Sequence, residues 1–456
     1  MAASRQPSAS LTEGAIGTTL FVFSLPILAT NVLQSLNGSV NAVWVGRYLG
    51  AAALTATSNA NTILFLLVGS VFGIAMAASI MVGQSIGAGD VAKAKRVVGT
   101  SMTLFFYASL AVGLGGFLLS PRVLGWMRTP PDALPYAIAY LRVVFLATPF
   151  VFANTLVTML LRGAGDARTP LLFSVLAVLL DIVLNPLFIF GAGPIPALGI
   201  AGSAAAALIA HAVAFVALMV HLYARKNELR ILGSELAYLR IDRAILSALV
   251  RKGIPMGLQM IVMTGSAVVM ASLVNQFGSA TAAAYGAAIQ LWNYIQMPAI
   301  AVGMAASAMA AQNIGAGLWE RVGRIAGVGV VINVGMTGVL ASLLEVFDRP
   351  ALGLFLSDQG SVSIAVHLNT IVVWSFTLFG ASMVLSSVVR STGAVAIPLA
   401  ILFFALWGIR LPFAIAFIER WQADAIWWSF PLGSITSMLL SIAYYRYGSW
   451  RSARMA

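Results

Sequence analysis

Of the 14 acidic residues in this chain, Asp181 alone lies deep inside a long apolar run, between Val178-Leu179-Leu180 and Ile182-Val183-Leu184. A carboxylate at the centre of a membrane helix costs about 2.5 kcal/mol or more unless it faces a cavity or a partner. Its presence therefore points to a group whose charge is put to use. Asn185, four residues on, shares its helical face and directly precedes Pro186, whose ring frees a backbone carbonyl one turn back. Gln34 and Asn41, seven apart, share a face of an earlier run, and Ser203 enters the run after that of Asp181. As a group these five form a candidate oxygen-lined ion site. The plainer alternative is an Asp and amides that hydrogen-bond between helices, as is common in membrane bundles.

The elements that position them are membrane spans. Apolar residues make up 60% of the 456, charged ones only 9%, and the mean hydropathy is +0.95. Runs long enough to cross about 30 Å of hydrocarbon fall at about 16–46, 53–83, 94–119, 134–161, 168–191 and 197–224. A second six fall at about 246–277, 281–312, 325–347, 361–389, 394–418 and 425–447. The reading is an all-α integral membrane protein of twelve transmembrane helices in two lobes, 1–224 and 246–456, joined by a polar cytoplasmic linker over 225–245. The tail before Gly17 has one Arg and no short apolar core with a small-residue cleavage site, so the first span is expected to act as its own uncleaved signal.

The formal charge of +12 does not imply nucleic acid, because the Lys and Arg sit in short loops. Counted by alternate loops, 19 of the 26, from Arg5 through Lys93, Lys95 and Arg96 to Arg454, fall on one side. Arg47, Arg122, Arg128, Arg349 and Arg420 fall on the other. By the positive-inside rule both termini and the linker are cytoplasmic. Arg142 and Arg410 lie within spans, near enough to an outer end to snorkel. No Cys and three His leave no thiol chemistry and little for a metal centre. The Gly-Ala-Gly loops beside Lys93 and Arg96 lack a P-loop ending, so no ATPase is expected.

Sliding the sequence against itself by 228 residues places Met-Ala-Ala-Ser at 76–79 on the same four residues at 304–307. At the same offset Met81, Gln84 and Ile86-Gly87-Ala88-Gly89 fall on Met309, Gln312 and Ile314-Gly315-Ala316-Gly317, Arg162 on Arg390, Gly165 on Gly393 and Pro170 on Pro398. One offset held across several elements signals duplication. With six spans each, both halves enter from one face, and a pseudo-twofold along the membrane normal is expected, with a cleft between lobes.

Five stretches resemble the multidrug and toxic compound extrusion (MATE) transporters. They are Gln-Ser-Ile-Gly-Ala-Gly at 84–89, Gln-Asn-Ile-Gly-Ala-Gly at 312–317, Val-Trp-Val-Gly-Arg-Tyr-Leu-Gly at 43–50, Arg-Gly-Ala-Gly-Asp-Ala-Arg-Thr-Pro at 162–170 and Leu-Asn-Pro-Leu-Phe-Ile-Phe at 184–190. The resemblance implies an antiporter of the cytoplasmic membrane that exports amphipathic, often cationic, organic compounds as protons or sodium ions enter. It implies no cofactor beyond that ion, no enzyme activity, and partners limited to the small-molecule substrate and the lipid bilayer; the chain is expected to act as a monomer.

Many relatives carry an acid where Asn41 stands, an Asn and an acid four apart on span five, and a hydroxyl on span six. Here the first acid is Asn41 and the span-five pair is reversed, Asp181 then Asn185. One carboxylate instead of two favours a proton over sodium. For an amphipathic substrate an apolar, adaptable cavity is expected. Gln259, Met260 and Met263 of span seven, Gln290, Trp292 and Asn293 of span eight and Trp374 of span ten are its candidate lining. Three rivals stay open: a flippase of lipid-linked sugars, which calls for cationic residues at depth; an intramembrane transferase, which calls for paired acids or a metal; and a passive channel, which calls for transport indifferent to an imposed pH gradient.

Overall fold

Inside hydrocarbon no water hydrogen-bonds the peptide groups, so each apolar run folds as a helix that satisfies its own backbone. The structure, a computed structural model, describes residues 11–127, 129–191, 196–356 and 358–455, the side chains of 51, 52, 54, 55, 59, 66 and 70 aside. Arg5 and Arg128 lie outside the described residues. Spans one to six are Ile16–Gly50, Ala56–Gly87, Val91–Trp126, Leu134–Gly163, Arg168–Phe190 and Ile200–Ala224. Spans seven to nine are Arg243–Asn275, Ser279–Gly315 and Trp319–Val346; eleven and twelve are Ala396–Trp421 and Ala423–Tyr447. Span ten is a broken one, Gln359–Val372 and Ser375–Arg390, bent by 46°. With it the described residues hold twelve spans and no strand.

Two spans differ from the continuous helices expected. At the bend of span ten the Ser375 hydroxyl donates to the Val372 carbonyl at 2.6 Å, and a side chain that enters the helical ladder is a common cause of a kink. In span eleven Phe404–Arg410 is π-helical; Pro412, just beyond, has no N–H to return to the preceding turn.

The duplication is also written in the backbone. Gly50 and Gly278 have φ of 87° and 92°, Gly89 and Gly317 of 73° and 75°, Gly165 and Gly393 of 93° and 101°. Each pair is separated by the offset that aligns the sequence halves. After span two, Gly89 N–H donates to the Ile86 carbonyl and Asp90 N–H to Ser85; after span eight, Gly317 donates to Ile314 and Leu318 to Asn313. Both are the left-handed helix closure that glycine permits at no steric cost.

The chain divides into two compact units. One is formed by Ala29–Gly253, the other by Ile254–Ala456 with the described part of Ser10–Leu28. The division differs from the lobe limits read from the sequence at two places. The stretch after Leu11 belongs with the second unit, where Leu11 N–H donates to Gln312 Oε1 at 3.2 Å and Asn313 Nδ2 donates to the Leu11 carbonyl at 3.0 Å. The 225–245 segment and the start of span seven pack in the first unit. Its 3-10 turn, Gly233–Leu239, is tied to span three by Lys95 Nζ and Glu235 Oε1 at 2.6 Å and by Thr103 Oγ1, which donates to the Leu239 carbonyl at 2.7 Å. Gly99 admits the Tyr238 carbonyl where any Cβ would collide. An apolar pattern gives the length of a helix, not the bundle each half of it joins.

Candidate ion-coupling site

The site is assembled within the first unit from spans one, four, five and six. Asn37 and Asn41 are one turn apart on span one, so they share a face. Asp181 and Asn185 do the same on span five, and both are buried. Span six is held to span five at its start: Leu198 N–H donates to the Phe188 carbonyl and Gly199 N–H to that of Ile189. Gly202 then lies against the Phe188 carbonyl so closely that a Cβ would clash with it. This small-residue contact lets the two helices approach and sets Ser203, fully buried, beside span one. Further along the same helices Trp44 stacks on Tyr48 and Phe190 meets Tyr48 edge-on, with ring centres 5.3 Å apart in each pair.

Two hydrogen-bonded groups result. Asn37 Nδ2 donates to Asp181 Oδ2 at 2.9 Å, and Asn185 Nδ2 to Asp181 Oδ1 at 3.2 Å. Each carboxylate oxygen thus receives one amide N–H, the pattern that stabilises a charged carboxylate away from water. Ser203 Oγ donates to Asn41 Oδ1 at 2.7 Å, and the buried Tyr140 neighbours Asn41 and Asp181. The carboxamide oxygens of Asn37 and Asn185 are buried and accept no hydrogen bond from the described residues. A carboxylic acid must donate its proton somewhere. Rotation of either carboxamide would offer an acceptor, so this trio can satisfy both protonation states of Asp181. No cluster of His, Cys, Asp and Glu fit to hold a metal occurs among the described residues.

The MatE family profile matches residues 26–187 and again 255–416, once in each half. The chain belongs to the MATE family. Its relatives include the "probable multidrug resistance protein YoeA" of Bacillus subtilis (strain 168), 36% identical over 94% of this chain and 93% of that protein. The "probable multidrug resistance protein YpnP" of the same organism is 32% identical over 97% of this chain and 98% of that one. Among solved structures, the outward-facing conformation of a multidrug resistance MATE family transporter superposes with a TM-score of 0.89, at 20% identity over 97% of this chain and 98% of that one. The protein is thus a multi-pass membrane protein of a multidrug efflux transporter family, whose members are transporters and not enzymes.

In this MATE chain the structure joins Asp181 to Asn185 and Asn41 to Ser203, but not Gln34. Gln34 is exposed, and its place at the carboxylate is taken by Asn37, three residues on. The signal for Asn37 was present: it is four residues before Asn41, on the stripe that Gln34 and Asn41 define. The candidate cavity residues scatter. Gln290 and Asn293 are exposed, and a mid-span amide is better placed against water-filled space than against lipid. Trp374 is exposed at the bend of span ten. Trp292 is instead a core residue, buried against Phe376 and Phe430, its indole N–H donated to Asn369 Oδ1 at 2.9 Å; an aromatic with a polar handle is equally suited to packing. Gln259 is buried and accepts from Arg390 Nη1. Met263 lines a pocket beside it, and Met260 is half-buried.

Proposed function

We propose that this chain exports amphipathic, cationic organic compounds across the cytoplasmic membrane in exchange for protons, by alternating access, with Asp181 as the proton-carrying group. One observation carries the reading: the buried carboxyl of Asp181 holds an amide N–H at each oxygen while both amides keep a free buried oxygen. Charged, Asp181 is the acceptor of two donors; protonated, it becomes a donor to a rotated amide. The trio therefore changes its hydrogen bonds, and with them the packing of spans one and five, when the proton comes or goes. Asn41 and Ser203 hold span one against span six and relay that change. The excess of Lys and Arg on one set of loops supports cytoplasmic termini and linker. The family's multidrug relatives support the substrate class.

Sodium is the second reading, supported by the same oxygens, since a hard cation favours carboxylate and carbonyl ligands. Flux of a fluorescent cationic substrate in proteoliposomes, driven by a proton gradient or by a sodium gradient, separates the two. Export is expected with the proton gradient and absent with sodium alone, and Asp181→Asn is expected to abolish it. A mutant that kept full gradient-driven export would remove Asp181 from the mechanism.

A further inference from the structure

The second unit holds a buried charge that the ion site does not use. Arg390 ends span ten and is 9% exposed. Its Nη1 donates to Gln259 Oε1 of span seven, and its Nη2 to Ser387 Oγ at 2.7 Å. Both partners are neutral, and none of the ion pairs among the described residues includes it. A guanidinium does not lose its proton in a protein, and a buried charge ordinarily has a counter-charge. Here it has none.

What is left unmet beside it is all of one kind. Arg390 Nε and Gln259 Nε2 are buried N–H donors without a hydrogen-bond partner among the described residues. Arg390 and Gln259 line a small pocket with an open mouth. Ser382, Ser386 and Ser437 give it polar lining, and Met263, Phe379 and Leu402 an apolar wall. A cation would meet a fixed positive charge there, and a neutral apolar molecule would leave the donors unpaired. A small anion with an apolar tail satisfies both sides, its oxygens accepting from the guanidinium and the amide, the pairing in which Arg is strongest.

We propose that this pocket binds a singly anionic amphiphile, with its carboxylate or phosphate head on Arg390 and Gln259 and its tail along Met263, Phe379 and Leu402. The site lies wholly in Ile254–Ala456 and is independent of Asp181. Two sources share the chemistry, an organic acid from solution and the headgroup of an anionic lipid.

The test compares octanoate with octanamide, alike in tail and different in charge. Both are titrated calorimetrically into the purified full chain in phosphatidylcholine nanodiscs, with no ion gradient and empty nanodiscs subtracted. Octanoate is expected to bind at least tenfold more tightly. Gln259→Glu supplies an internal carboxylate to Arg390, so the guanidinium stays paired and the fold is kept, yet the preference is expected to vanish, as with Arg390→Gln. Asp181→Asn is expected to retain it, which separates this site from the coupling reading. Loss of octanoate binding in phosphatidylglycerol nanodiscs would identify lipid as the source; unchanged binding there would identify a soluble acid. Equal binding of the two probes by the wild type, or an undiminished preference in folded Gln259→Glu, overturns the proposal.

Discussion

Asn37 Nδ2 lies 2.9 Å from Asp181 Oδ2, joining span one to span five across 144 positions of sequence. In the proposed mechanism it is the contact through which a change of charge on Asp181 reaches another helix. Asn37→Leu removes the donor and leaves the carboxyl in place. Gradient-driven export is expected to fall at least tenfold while equilibrium substrate binding changes less than threefold, consistent with the roughly 1.5–3 kcal/mol of a hydrogen bond to a charged group. Equal losses in both measurements would make Asn37 a residue of folding and not of coupling.

The approach of spans five and six depends on Gly202. A Cβ there meets the Phe188 carbonyl, whereas one at Gly286 meets nothing within 4 Å. Gly202→Ala is expected to destabilise by about 1–3 kcal/mol, the usual cost of overpacking, and to lower the thermal midpoint in detergent. Gly286→Ala is the control and should leave the midpoint unchanged. Parallel behaviour of the two variants would show that the close contact has no energetic weight.

The linker is expected to loosen in acid. Lys95 beside Glu235 holds that carboxyl below its ordinary value of 4.5. A depressed folded-state value means the pair contributes fully above the unfolded value and is lost as pH falls through the folded one. Amide hydrogen exchange over Gly233–Leu239, taken relative to the intrinsic rate at each pH, should therefore stay slow at neutral pH and rise as the pH falls below the free-carboxylate value. Glu235→Gln should show the faster exchange already at pH 7. Exchange in the wild type that ignored pH across this window would remove the ion pair as the latch.

In the second unit Asn369 is fully buried and accepts the Trp292 indole N–H, which otherwise has no acceptor in an aromatic core with Tyr285 and Phe430. Asn369→Leu is expected to cost about 1–3 kcal/mol, the penalty for a stranded buried donor, with transport per folded molecule unchanged. Trp292→Phe in the same background should recover most of the loss, because the orphaned donor goes with it. No recovery would mean that packing volume, and not the hydrogen bond, sets the cost.

Much is legible in the sequence itself, because hydrocarbon imposes local rules. Span lengths, the oddity of a carboxylate between Leu180 and Ile182, and the repeat at one offset are properties of neighbours along the chain. Asp181 and Asn185 could be paired by helical period, whereas the contact of Asn41 with Ser203 joins spans one and six, which neither period nor the order of spans pairs. The repeat even foretold backbone detail, since Gly89 and Gly317 take the same left-handed turn.

Tertiary structure decided the rest, since rotation and packing of a helix that is apolar on every side are not written in its periodicity. Between Gln34 and Asn37, both on one stripe, only the angle of span one against span five chose Asn37 for the carboxylate. Trp292 and Trp374 look alike in sequence, yet one fills a core and the other lies open at a bend. The segment before Leu28 joins the second unit although it continues into a helix of the first, because the polar partners of Leu11, Gln312 and Asn313, are 301 and 302 residues away. Sequence determined that a buried charge had to be used; the three-dimensional arrangement determined which neighbours it uses.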